Sequence, residues 1–125
     1  MRAFDAGNVQ SEVRAAFDAY EDALLANNVE TLIGFFRDDP ATVRMTDESG
    51  HYGLDQMAAF RRGRDTTDIA RDLLRVDIMA LSNDVAVATA EYRRRLSGRR
   101  GAQTQVWIRL PEGWRIAAAH VSLGA

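Results

Sequence analysis

From Val9 onward the apolar positions Val13, Ala16, Phe17, Tyr20 and Leu24 recur at steps of three and four, the spacing that lays one stripe along a helix. This helix is expected to run to about Asn27, with Asn8 capping its start. Asn27-Asn28 then stops it and recaps a second, short helix from Val29 to Phe36, which Asp38-Asp39-Pro40 ends. Ala41 to Asp47 alternates as a strand, Glu48-Ser49-Gly50 turns, and His51-Tyr52-Gly53 brings the chain back. A third helix is expected from Asp55 to Arg64, with Met57 and Phe60 inward and Arg61, Arg62 and Arg64 near its C-terminal end, where positive charge suits the helix dipole.

Beyond Asp68 the period changes to two. Leu73 to Leu81, Val85 to Leu96, Ala102 to Leu110 and Trp114 to Ser122 read as four strands of a meander, with turn residues between them at hairpin spacing. Helices first and strands later predict an α+β fold, one domain over residues 1–125, in which helices cover one face of a curved antiparallel sheet. The last strand is weakly polar on both sides, with Ala117, Ala119 and Val121 opposite Trp114, Ile116, Ala118, His120 and Ser122. Because helices cover one face only, the other is expected to meet a second copy of the chain in a homodimer.

Composition narrows the chemistry. All sixteen basic residues are arginine, so every mechanism that needs a lysine amine drops out. The formal net charge is -2 and arginines are interspersed with carboxylates, which argues against nucleic acid as a partner. No apolar run reaches the length of a membrane span, cysteine is absent, and Met1 to Asp5 leads into a polar segment, so a cytoplasmic location is expected and a membrane is not. Two histidines far apart and no cysteine make a metal site a poor reading, and no serine stands in a nucleophile elbow.

A helical layer on a strongly curved sheet leaves a cone open at one end, and polar groups aimed into it are the candidates for a site. Tyr20 lies on the apolar stripe, where its hydroxyl needs a partner. Arg44 is central to its strand. His120 shares a face with Trp114 and Ile116 and is expected to point inward, as is Ser122. Gln103, Gln105 and Trp107 fall on one face of the preceding strand, an amide-lined wall beside an indole. Each has a plainer alternative: a packed phenol, an ion-paired arginine, a scaffolding histidine, a surface edge.

The segment Gln103-Thr104-Gln105-Val106-Trp107-Ile108-Arg109, the turn Pro111-Glu112-Gly113 and the run Trp114 to Ser122 resemble the C-terminal hallmark of nuclear transport factor 2-like domains, which include SnoaL-type cyclases and steroid isomerases. More narrowly, Phe17 to Leu24, Thr42-Val43-Arg44, Tyr52-Gly53-Leu54-Asp55 and Phe60 to Arg64 resemble the AtzH-like family, which includes the HpxZ-type oxalurate catabolism proteins. The resemblance implies a cone-shaped curved antiparallel sheet packed by three N-terminal helices. It also implies a small amidohydrolase of ureide and cyanuric-acid nitrogen catabolism that converts dicarboxyurea to allophanate without a cofactor, beside an amidase-signature partner enzyme. The family's catalytic tyrosine and arginine map onto Tyr20 and Arg44. Around them Tyr52, Arg61, Arg64, Gln105, Trp107, His120 and Ser122 are the expected substrate-binding set, with Arg61 or Arg64 holding a second carboxylate. The alternatives are a non-catalytic carboxylate-binding or amidase-partner module of the same fold, and a SnoaL-like isomerase or cyclase using an inward base.

Overall fold

The structure is a computed structural model and describes residues 3–124. Three helices, α1 (Ala6–Leu25), α2 (Val29–Gly34) and α3 (Gly53–Gly63), are combined with six strands: β1 (Val43–Met45), β2 (Gly50–Tyr52), β3 (Arg71–Ala80), β4 (Val85–Arg94), β5 (Arg100–Leu110) and β6 (Gly113–Leu123). One sheet holds all six in the order β2-β1-β6-β5-β4-β3. Its long meander is antiparallel, and β1 joins it parallel to β6, pairing Arg44 with Ala119. No helix among the described residues is long and apolar enough to cross a membrane.

The stripe on α1 does what its spacing dictates. Val9, Val13 and Phe17 are fully buried, and Tyr20, Ala23 and Leu24 nearly so, against Leu32, Phe36, Met57, Ala86, Ala88, Ala90, Trp107 and Ile116. Alanines on β4 keep the sheet surface low beneath the helix, and the bulk comes from aromatic residues around it.

Local hydrogen bonding moves several boundaries from where pattern alone puts them. The cap of α1 is Asp5, whose carboxylate accepts from the Asn8 backbone N–H at 3.0 Å; Asn8 sits inside the first turn and donates its side chain to Glu12 instead. The second helix stops at Gly34 because the sheet takes the following backbone: the Ile116 N–H donates to the Phe35 carbonyl, and Arg37 donates back to the Ile116 carbonyl. β1 shrinks to Val43–Met45 because Thr42 and Thr46 spend their N–H groups on the carbonyls of Asp39 and Ser49 in the flanking turns. α3 begins at Gly53, whose positive φ of 74° lets the chain leave β2 and enter the helix directly. β3 and β5 start earlier than alternation suggests, at Arg71 and Arg100, so polar residues extend both strands.

The sheet bulges in two places. On β3, Leu73 pairs with Tyr92 and Arg75 with Glu91, leaving Leu74 unpaired. On β6, Ile116 pairs with Trp107 and Ala118 with Val106, so Ala117 is the extra residue. This second bulge reverses the alternation expected for the last strand. Trp114 and Ile116 are buried before it, Ala119 packs on the core after it, and His120 and Ser122 turn out to the exposed side.

Candidate active site

Where α1, α3 and the ends of the long strands meet, the inner face encloses a cavity lined by Tyr20, Arg44, Arg64, Arg71, Tyr92, Arg94, Gln103 and Gln105, with Leu24, Ile69, Ala119, His120 and Val121. Its inner part offers about 30 Å³ to the centre of a water-sized sphere. A single water needs roughly 10–15 Å³ by that measure, so a carboxylate head fits. Arg44, Arg64, Tyr92, Arg94 and Val121 also line a wider mouth of about 180 Å³, which is rimmed by Thr46, Asp47, Glu48, Ser49, Phe60 and Ser122.

Tyr20 enters from the α1 stripe one turn after Phe17 and is 4% exposed. Its ring stands edge-on to Phe35 and Phe36, and its oxygen accepts from Arg61 Nη2 at 2.7 Å. Arg61 occupies the position one turn after Met57 and is fully buried with it, so its guanidinium has no route to solvent; Nε and Nη1 have no partner. With an arginine donor on the phenol oxygen, the Tyr20 proton is directed elsewhere, and the cavity is where it can be used.

Arg44 projects from β1 and is 8% exposed, with Nη1 buried and unpartnered. Its guanidinium carbon lies 4.9 Å from the centre of the Phe60 ring, and that of Arg64 lies 5.4 Å from the same ring. His51, directly opposite Arg44 on β2, stacks on Phe60 at 4.4 Å. One phenyl ring on α3 thereby fixes two cations and an imidazole at the mouth. Burial above all pushes Arg44 down to about 10, with Arg61, Arg64 and Arg71 adding repulsion and Tyr20 opposing it. Arg64 is lowered for the same first reason, then by Arg61 and Arg94, and His51 by burial and then by Arg44 and Arg61. At neutral pH both arginines stay charged.

Arg71 is the arginine that does have a counter-ion. It grips both oxygens of buried Glu21 on α1, Nε reaching Oε2 at 3.2 Å, stacks over Tyr92 at 4.2 Å and donates to Gln103 Oε1 at 2.8 Å. Tyr92 lies across Gly101, its partner on β5, where a Cβ would sit 2.3 Å from the ring, and its hydroxyl donates to the Ser122 carbonyl. Four arginines therefore line the inner cavity and no carboxylate does; Glu21, which pairs with Arg71, is already taken. An unpaired charge held away from water costs several kcal/mol, and a small anion is what would offset it. Among the described residues no cluster of metal-ligating side chains is found.

A family model for AtzH-like proteins matches residues 2–125. The chain belongs to the AtzH-like family. Solved structures agree with the assignment. A DUF3225-family protein of unknown function from Pectobacterium atrosepticum is 42% identical, covering 94% of this chain and 92% of that one, with a TM-score of 0.89. A cystatin-like fold protein from Burkholderia xenovorans is 32% identical over 98% of both chains, at 0.88. A ketosteroid isomerase-like protein from Erwinia carotovora atroseptica, 18% identical over 93% and 96%, superimposes at 0.74 and shares the nuclear transport factor 2-like fold. No curated protein matches the chain.

Within this AtzH-like domain the expected residues divide. Tyr20, Arg44, Arg64 and Gln105 line the cavity, and Arg61 backs it through Tyr20. Trp107 is fully buried beneath the wall and acts through Gln105, to which its indole N–H donates at 3.0 Å. Tyr52 is 52% exposed and lines a separate dent with Asp38, Asp39 and Pro40, because β2 alternation turns its neighbour His51 inward and Tyr52 out. His120, expected inward, borders the cavity but is exposed, and Ser122 stands exposed at the mouth; the Ala117 bulge accounts for both. Gln103 lines the cavity as part of the expected amide wall, and Arg71, Arg94, Glu21, His51, Phe60 and Tyr92 complete the site with, Glu21 apart, no sequence signal that singles them out. Glu21 sits four residues after buried Phe17, a carboxylate on a core stripe that signals a buried partner.

Proposed function

We propose that this protein is a small cofactor-independent amidohydrolase acting on a terminal C–N bond of a small N-carboxylated urea, with dicarboxyurea going to allophanate as the leading reaction. The observation that carries this reading is Tyr20 at the wall of a cavity whose free arginines have no acidic partner. A dianion with a carboxylate at each end supplies the missing charge: one end at Arg44, the other toward Arg64 and Arg94 at the mouth.

For dicarboxyurea the atoms balance as loss of one carboxyl group. The bond between a terminal carboxyl carbon and nitrogen breaks, its electron pair stays on nitrogen, and nitrogen gains a proton. The carbon leaves as carbon dioxide, or as bicarbonate when water adds first. In this reading Tyr20, whose oxygen accepts from Arg61, protonates that nitrogen or hydrogen-bonds the central carbonyl. No carboxylate lines the inner cavity beside Tyr20, Glu21 is engaged by Arg71, and Asp47 and Glu48 stand only at the mouth, which favours proton donation over base catalysis and speaks against an isomerase of the steroid or SnoaL kind.

The absence of a base at the wall also gives support to a second reading, a carboxylate-binding module without turnover. The two separate on one experiment: purified protein is incubated with dicarboxyurea and carbon dioxide plus bicarbonate are followed, for wild type, Tyr20→Phe and Arg44→Met. The amidohydrolase reading expects turnover that falls roughly 10²–10⁴-fold in Tyr20→Phe and is lost in Arg44→Met. Arg44-dependent binding without turnover leaves the module, and turnover equal in all three proteins removes Tyr20 and Arg44 from the chemistry.

We also propose that the domain works as a homodimer through the outer sheet face. Met79, Val87, Val106, Ala118 and Val43 are neighbours in one row across five strands, and Met79 is 55% exposed.

A further inference from the structure

Gln103 and Gln105 stand two residues apart on the inward face of β5, 6% and 2% exposed. Ala90 and Ala88 face them from β4, and Ala119 flanks Gln105 from β6, so small side chains leave both amides room to extend toward the cavity they line. Each amide could in principle be turned either way. Here the neighbours decide, since both can only donate. Arg71 Nη2 points at the oxygen of Gln103 at 2.8 Å, and the indole N–H of Trp107 at the oxygen of Gln105 at 3.0 Å. Turning either amide over would set N–H against N–H in a buried place.

With the oxygens claimed, the two NH2 groups are what remains. Gln103 Nε2 is buried and has no partner at all. The same pattern holds at Tyr20, whose oxygen takes a hydrogen bond from Arg61. The accepting oxygens of Gln103, Gln105 and Tyr20 are thus each already engaged by a cation or an indole, while the two amide NH2 groups are left to donate.

We propose that Gln103 and Gln105 form a paired amide clamp that reads a ligand oxygen, with Arg71 and Trp107 as the positioning residues that hold the clamp donor side in. The inference rests on the reading of the cavity as an anion site and adds a requirement to it: the part of the ligand facing β5 presents oxygen only, and any N–H of the ligand faces the mouth, where Asp47, Glu48 and Ser49 supply acceptors.

The test uses nitrogen-labelled full-length protein and malonate as the probe. The four glutamine side-chain NH2 signals, Gln10, Gln56, Gln103 and Gln105, are assigned through their own backbone correlations, so no variant is required for the first measurement. Saturating malonate is expected to shift the NH2 signals of Gln103 and Gln105 and to leave Gln10 and Gln56 in place. Gln105→Met is expected to weaken malonate at least tenfold. Trp107→Phe, which keeps an aromatic ring but removes the indole donor, is expected to weaken malonate severalfold and to abolish the Gln105 response. Malonate that stabilises the wild type but not Arg44→Met, yet moves neither glutamine signal or binds Gln105→Met undiminished, overturns the clamp and leaves the anion site standing. Malonate that neither stabilises the protein nor shifts any signal overturns both.

Discussion

Arg61 donates to the Tyr20 hydroxyl oxygen at 2.7 Å across 41 residues of sequence, and it is the only hydrogen bond this fully buried guanidinium makes among the described residues. A core arginine ordinarily comes with a carboxylate. Here α3 delivers a cation to the back of a phenol, over the rings of Tyr20 and Phe36 and with no carboxylate among its hydrogen-bond partners.

Replacing Arg61 by Met should therefore separate stability from function. The apolar side chain fills similar space without a buried charge, so the melting temperature is expected to hold or rise. Turnover is expected to fall because Tyr20 loses the donor that orients it. Thermal unfolding and steady-state kinetics on the same preparation check both.

Glu21→Gln should behave in the opposite sense. It leaves Arg71 charged, buried and without its counter-ion, a change that typically costs roughly 3–5 kcal/mol. Denaturant unfolding is expected to show a loss of that order, with weakened anion binding as well, because Arg71 also holds Gln103.

Acid should loosen the molecule at the far end of α1. Arg109 chiefly, then the Trp114 indole N–H, hold the Glu12 carboxyl down from 4.5 to about 2. A carboxyl lowered by folding contributes stability above its unfolded value and loses it as pH falls through the folded one. Glu12→Gln is thus expected to melt lower than wild type at neutral pH, with the difference closing between about pH 4.5 and 2. Parallel acid titrations of the two proteins measure this.

The outer sheet row gives a prediction about assembly. Val106→Glu places a charge at the middle of that row, opposite Val87 and Ala118. Light scattering is expected to report a dimer for wild type and a monomer for the variant, with the helical content unchanged by circular dichroism.

Much of this architecture is legible in the chain because its rules are periodic. The α1 stripe, the meander and the turns follow from spacings of three to four and of two, and the family resemblance of the strand blocks agrees with them. The inward placement of Tyr20 follows from the same stripe. What periodicity misses is instructive. Arg61 and Arg64 read alike as candidates for a second carboxylate at the end of α3, and sequence alone does not tell that Arg61, in the phase of Met57, is the one buried behind Tyr20. Arg71 and Glu21 lie 50 residues apart, and only the closed fold shows that each explains the other. His120 is misplaced by one extra alanine, since a bulge obeys pairing geometry and leaves little trace in hydrophobicity.

That alanine makes the site tolerant of a change in length. Deleting Ala117 would close the bulge and leave Ala118, Ala119 and His120 opposite Val106, Gln105 and Thr104 as they are, so the imidazole and the Ser122 hydroxyl would stay on the outer side. The spare residue is slack in the last strand, and a one-codon loss there is absorbed without touching the arginine-lined hollow.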